Sequence, residues 1–118
     1  MKTIHVQKTL KAPVPHLVVI DEPSNLPLAV QHLNFERLKH KNTQGDESIM
    51  TPEDWDLSER EYRRFLALKV IHPDTALVPS KQVDIIWHAH ILDTRAYRED
   101  CKAMFGRFMD HYPYFGIN

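Results

Sequence analysis

A chain of 118 residues, 42% hydrophobic and 26% charged, has the makeup of one soluble globular domain with room for a real core. Its formal net charge of -1 removes any electrostatic case for nucleic acid or anionic membranes, and no apolar run reaches membrane-spanning length. The single cysteine excludes an intramolecular disulfide, and the first residues lack a signal peptide's apolar segment, so a cytoplasmic protein is expected; three glycines leave little scope for a phosphate-cradling loop.

Residues 1–23 differ from the rest. Thr3-Ile4-His5-Val6-Gln7 alternates weakly, Leu17-Val18-Val19-Ile20 is a β-branched run, and Pro13 and Pro15 separate them. Two short strands are expected, and an isolated ribbon of that size is marginal, so it should lie on the body or pair two copies as a homodimer. A helix is expected from about Leu28 to Lys41, with Ala29, Val30, Leu33 and Leu38 on its apolar face. A polar loop, Asn42 to Ser48, follows.

Thr51-Pro52-Glu53-Asp54 is a helix start, with a capping threonine, proline at the first position and acids in the first turn. It opens either a short helix at Trp55 with a longer one behind it, or one helix from Pro52 to Ile71. Tyr62, Phe65, Leu66, Lys69 and Val70 form its inward stripe, and Arg60, Arg63 and Arg64 read as a solvated basic face. Pro73 ends this helix, and Ser80 caps the next.

That next helix, Val83-Asp84-Ile85-Ile86-Trp87-His88-Ala89-His90-Ile91-Leu92, is apolar nearly all round, which predicts burial at the centre of the fold. Its acid and two histidines are costly there unless each finds a partner. Asp84 and His88, four apart, share one strip, whereas His90 lies about 200° from His88, on the Val83/Ile86 side. Asp93-Thr94 offers a second cap, and a last helix should run from Arg95 to about Met109, with Tyr97, Cys101, Met104, Phe105 and Phe108 inward. The aromatic tail His111 to Gly116 should pack back on the body. The whole reads as a single, mainly α domain around a buried central helix: a short β extension over residues 1–23 and a helical body over residues 24–118.

The ordered run Pro79-Ser80, Val83-Asp84, Trp87-His88-Ala89-His90-Ile91-Leu92, Thr94, Tyr97, Cys101, Phe105-Gly106-Arg107, His111 and Pro113-Tyr114 resembles the glycine-rich domain-containing protein family, in particular its short bacterial relatives. Glu61-Tyr62-Arg63-Arg64-Phe65-Leu66 fits the same pattern, so the resemblance spans roughly residues 50–116. Two departures stand out: the glycine-rich tail of the larger relatives does not appear, and Asp110-His111 stands where many relatives carry a His-His pair. The resemblance implies a helical module and leaves its activity open.

The residues themselves carry the chemistry. Asp84, Trp87, His88, His90, Tyr97 and His111 are the candidates for a binding pocket. His88, His90, Cys101 and His111 are ligand types for zinc or another transition metal. Histidines two apart on a helix face opposite ways and cannot grip one ion. In an unbroken helix His90 and Cys101 stand about 16 Å apart, so a fold-back at Asp93-Thr94 is needed to bring Cys101 near either histidine. Asp84 can also orient His88 for acid–base work, although no serine or threonine is marked as a nucleophile. As a bland alternative, Trp87 is a core anchor, His90 a core imidazole bonded to a tyrosine hydroxyl or a carbonyl, and Cys101 a small buried apolar residue. The leading expectation is a binding or interaction module for a protein partner or small ligand. The second is a metal-dependent or histidine-based hydrolytic enzyme.

Overall fold

A computed structural model of the chain describes residues 26–114 in full and the backbone alone of residues 3–8 and 16–21. The architecture is mainly helical. In order come strands β1 (Thr3–Lys8) and β2 (His16–Asp21), helices α1 (Leu28–Gln31), α2 (Glu36–Thr43) and α3 (Pro52–Ile71), strand β3 (Leu77–Val78), and helices α4 (Lys81–Leu92) and α5 (Thr94–Phe105). β1 runs antiparallel between β2 and β3, with Thr3 opposite Asp21 and Gln7 opposite Val78. The extension thus meets the body through β3, while the segments around and between β1 and β2 lie outside the described residues.

Two helices begin where the caps require. The Thr51 hydroxyl accepts from the Asp54 N–H at 3.1 Å, and the Ser80 hydroxyl accepts from the Val83 N–H at 3.2 Å. α3 is one unbroken helix of 20 residues, which settles the two alternatives left open for that region. It buries Trp55, Tyr62, Phe65, Leu66 and Leu68 against Val83, Ile86 and Trp87 of α4 and Tyr97, Cys101 and Met104 of α5. Each fully buried side chain of the size of Phe65, Leu66 or Ile86 contributes about 1.5–3 kcal/mol of burial energy.

Four expectations need correcting. The helix expected over 28–41 is two helices, because the chain breaks at Leu33-Asn34-Phe35 to drive Leu33 and Phe35 into the core. Asn34 restarts it by accepting from the Glu36 N–H at 3.0 Å. Of the three arginines expected to be solvated, Arg60 is exposed, but Arg63 holds this joint and Arg64 is buried. Arg63 donates to the Val30 and Leu33 carbonyls, 2.7 Å each, pairs with Glu59 at 3.0 Å, and lies over the Phe35 ring, while Arg64 is buried and bonded to Glu61 at 2.6 Å. Such planar, many-donor cations are suited to satisfying carbonyls that a helix end leaves orphaned.

The last helix stops at Phe105 rather than near Met109. Gly106 takes φ 72°, the left-handed conformation that ends helices and strains any residue with a Cβ. Phe108 is therefore carried out to half-exposure instead of facing inward. Finally, α4 is not buried all round. Val83, Ile86, Trp87, Ala89 and His90 are inside, but Asp84, His88 and Leu92, spaced four apart, form one strip along the surface, with Leu92 80% exposed. That strip is where α3 and α5 leave the helix uncovered.

Candidate functional site

The turn at Asp93 sends α5 back along α4, and the strap after α5 (residues 106–114) returns across the first turns of α4. Asp93 sits at the N-terminus of α5 without a side-chain capping bond; its carboxylate lies 3.8 Å from Arg37 instead. Tyr97 fastens the strap. Its hydroxyl accepts from the Trp87 indole N–H at 3.0 Å and donates to the Met109 carbonyl at 2.6 Å. That anchor sets His111 against α4. The His111 ring stacks on Trp87, centroids 4.1 Å apart, and its Nε2 lies 2.5 Å from Asp84 Oδ1.

His88 completes the cluster one turn along the strip. Its Nδ1 is 2.8 Å from the Asp84 carbonyl and 3.3 Å from Asp84 Oδ2, and its ring lies 4.6 Å from that of His111. A carbonyl can only accept, so Nδ1 carries the proton, and the lone pair of a neutral His88 imidazole sits on Nε2. One ligand atom from each of Asp84, His88 and His111 lies within 4.8 Å of the others. The cluster is graded in exposure: the His88 side chain is 58% exposed, Asp84 34% and His111 12%. Trp87 is its buried floor, held on the far side by Phe65 at 5.1 Å.

The fold thus brings together Asp84, Trp87, His88 and His111, keeps Tyr97 behind Trp87 as a buried support, and places His90 and Cys101 elsewhere. His90 is fully buried on the opposite side of α4. Its Nδ1 is 2.8 Å from the Tyr62 hydroxyl, its Nε2 is 2.8 Å from Asp100 Oδ2, and the rings of Phe35, Tyr62 and Tyr97 meet it edge-on. With Asp100 ionised, Nε2–H donates to it and Nδ1 accepts from the tyrosine, so every polar atom of the buried ring is satisfied. Cys101 is fully buried, and burial pushes its thiol up from the usual range, which is the behaviour of a packed side chain and not of a ligand or nucleophile. Of the residues expected to hold a metal, His88 and His111 stand together with Asp84, while His90 and Cys101 lie apart from them; for His90 the helical phase that parts it from His88 is the reason. Burial likewise pushes the Tyr62 and Tyr97 hydroxyls well up.

Two functional partners were not legible as such. Asp100, on α5, reaches His90 only because α5 folds back, and no periodicity links the two positions. The Met109 carbonyl, which fixes the strap, is backbone and leaves no trace in the residue pattern. Among the described residues no helix is long and apolar enough to cross a membrane.

Fold and site together define a mainly helical module that presents a two-histidine, one-carboxylate cluster on the open edge of its most buried helix. A family model described as UCP032817-like matches residues 27–117, and the chain belongs to that family. No curated protein and no solved structure matches it.

Proposed function

We propose that this protein is a binding module whose ligand is a divalent transition metal, zinc foremost, held by Asp84, His88 and His111. The observation that carries this is the convergence of two imidazoles and one carboxylate, from two different parts of the chain, with ligand atoms inside 4.8 Å. Imidazole and carboxylate suit zinc and its neighbours, and an ion could replace the hydrogen bond between Asp84 and His111. The surroundings supply what ligands need behind them. The Asp84 carbonyl fixes the His88 ring, and the Trp87 face fixes the His111 ring, so neither must be ordered on binding.

Metal analysis of protein purified without a histidine tag, after zinc loading and dialysis, tests the reading. Near one equivalent supports it, and a protein that dialyses clean contradicts it.

A second reading rests on the exposure of His88. An ion at this cluster would have three protein ligands and face solvent, leaving room for a bound water, whose deprotonation near neutral pH is what a hydrolytic enzyme uses. Zinc-dependent cleavage of activated esters or phosphates, lost on chelation, would favour it. Kinship with the glycine-rich domain-containing proteins belongs to the same proposal, supported by the ordered run from Trp87 to Tyr114. Action in the cytoplasm is supported by the lone cysteine.

A further inference from the structure

A cleft of about 370 Å³ lies between the end of α3, the end of α5 and the strap, and Asp84, His88 and His111 are not in its lining. Val70, Met104, Phe105, Phe108 and Met109 supply an apolar wall to an otherwise polar lining, which includes two cations, Lys69 and Arg107. A smaller lobe of about 180 Å³, walled by Phe65, Trp87 and Tyr112, also has Lys69, Met109 and Asp110 in its lining. Lys69 therefore lines both a mixed cleft, near the lower size of small-molecule pockets, and a smaller, mainly apolar lobe.

The charge there is not balanced. Lys69 is partly buried, and among the described residues its ammonium makes one hydrogen bond, to the Thr75 carbonyl at 2.9 Å. Burial holds its ammonium below the usual range and repulsion from Arg107 adds to this, while Asp74 opposes it. Among the described residues neither Lys69 nor Arg107 forms an ion pair, and Arg107 makes no hydrogen bond at all. Asp110 also lines the cleft, and α3 and α5 both end beside it with their carbonyls. These work against a bound anion. The α3 and α5 carbonyls are partial charges only, and Asp110 is exposed to water, which screens it, so two full cations outweigh them. Two neighbouring cations over an apolar wall call for a ligand with one acid group and an apolar body.

We propose that this cleft binds a small organic acid, its carboxylate between Lys69 and Arg107 and its apolar portion against Met104, Phe105 and Phe108. The site is independent of the metal cluster.

Octanoate titrated into the full chain with a chelator present, followed by calorimetry and by tryptophan fluorescence (Trp87 walls the adjoining lobe), tests the proposal, with 1-octanol as the uncharged comparator. Saturable binding of one octanoate is expected, weakened about tenfold by Arg107→Gln and by Lys69→Met, a factor that corresponds to about 1.4 kcal/mol. Octanol should bind more weakly and ignore both substitutions. Lys69→Met also removes the bond to Thr75, so its thermal melt must be checked. If that variant unfolds, Arg107→Gln decides alone, because the exposed Arg107 has no bond to lose. No saturable octanoate binding, equal affinity of wild type and Arg107→Gln, or octanol as tight as octanoate would each overturn the proposal.

Discussion

Replacing His90 by alanine probes the buried network most sharply. The ring is 0% exposed and is the hydrogen-bond partner of the equally buried Tyr62 hydroxyl. Its removal strands that hydroxyl, at a cost of about 1–3 kcal/mol. It also opens a cavity among Phe35, Tyr62 and Tyr97, at about 24 cal/mol for each Å³ that the neighbours fail to fill. Asp100 is a lesser term, since its side chain is 28% exposed and can turn to water. Together these give a loss of about 3 kcal/mol, a large part of the ~5–15 kcal/mol that holds a typical domain together. Urea denaturation should show a lower midpoint at unchanged slope. The hydrogen bond itself is isolated by a cycle with Tyr62→Phe. The double variant should cost less than the sum of the single ones by about 1–2 kcal/mol, because the phenylalanine leaves nothing stranded. Additivity to within about 0.5 kcal/mol, or a neutral His90→Ala, would refute the network as the reason a histidine is buried here.

Trp87→Ala should cost roughly 3–5 kcal/mol in the same assay, since it removes a core anchor together with the floor beneath His111. Tyr97→Phe keeps the ring but releases the Met109 carbonyl, so amide exchange in residues 107–112 should rise while that in α3 stays slow; uniform exchange would place the strap's anchor elsewhere. Alkaline pH should destabilise the protein. Burial raises the Tyr62 and Tyr97 hydroxyls above their ordinary value of 10.0, so the stabilisation from keeping them protonated is complete below pH 10 and is lost as pH rises above it; equal melting temperatures at pH 9 and 11 would contradict this. Cys101, buried and with its thiol pushed up, should resist alkylation at pH 8 until urea unfolds the chain.

What could be read from the residues was whatever is set by local chemistry. Thr51 and Ser80 announce their helices because a side-chain oxygen three residues before a free N–H is a local device, and α4's partition of His88 from His90 follows from the helical repeat alone. The failures share a different cause. Arg63 looked like surface because nothing nearby in sequence shows that the Val30 and Leu33 carbonyls, some thirty residues earlier, lie within its reach. Gly106 stood within a run of inward-looking residues, and reading the apolar stripe past it carried the last helix too far. The pairing of His90 with Asp100 and of His111 with Asp84 needed the fold-back at Asp93 and the strap's anchor on Tyr97, both tertiary facts. Trp87 was legible as a buried residue, but its role as a platform for His111 was not.

The central claim, a metal held by Asp84, His88 and His111, is tested most directly by zinc titration of the untagged protein against a competing chromophoric chelator, beside His88→Ala, His111→Ala and Cys101→Ser. The account predicts one zinc per wild-type chain, loss of binding in both histidine variants while their circular dichroism stays wild-type, and full binding by Cys101→Ser. No zinc uptake by the wild type, or uptake that survives both histidine substitutions, would contradict it.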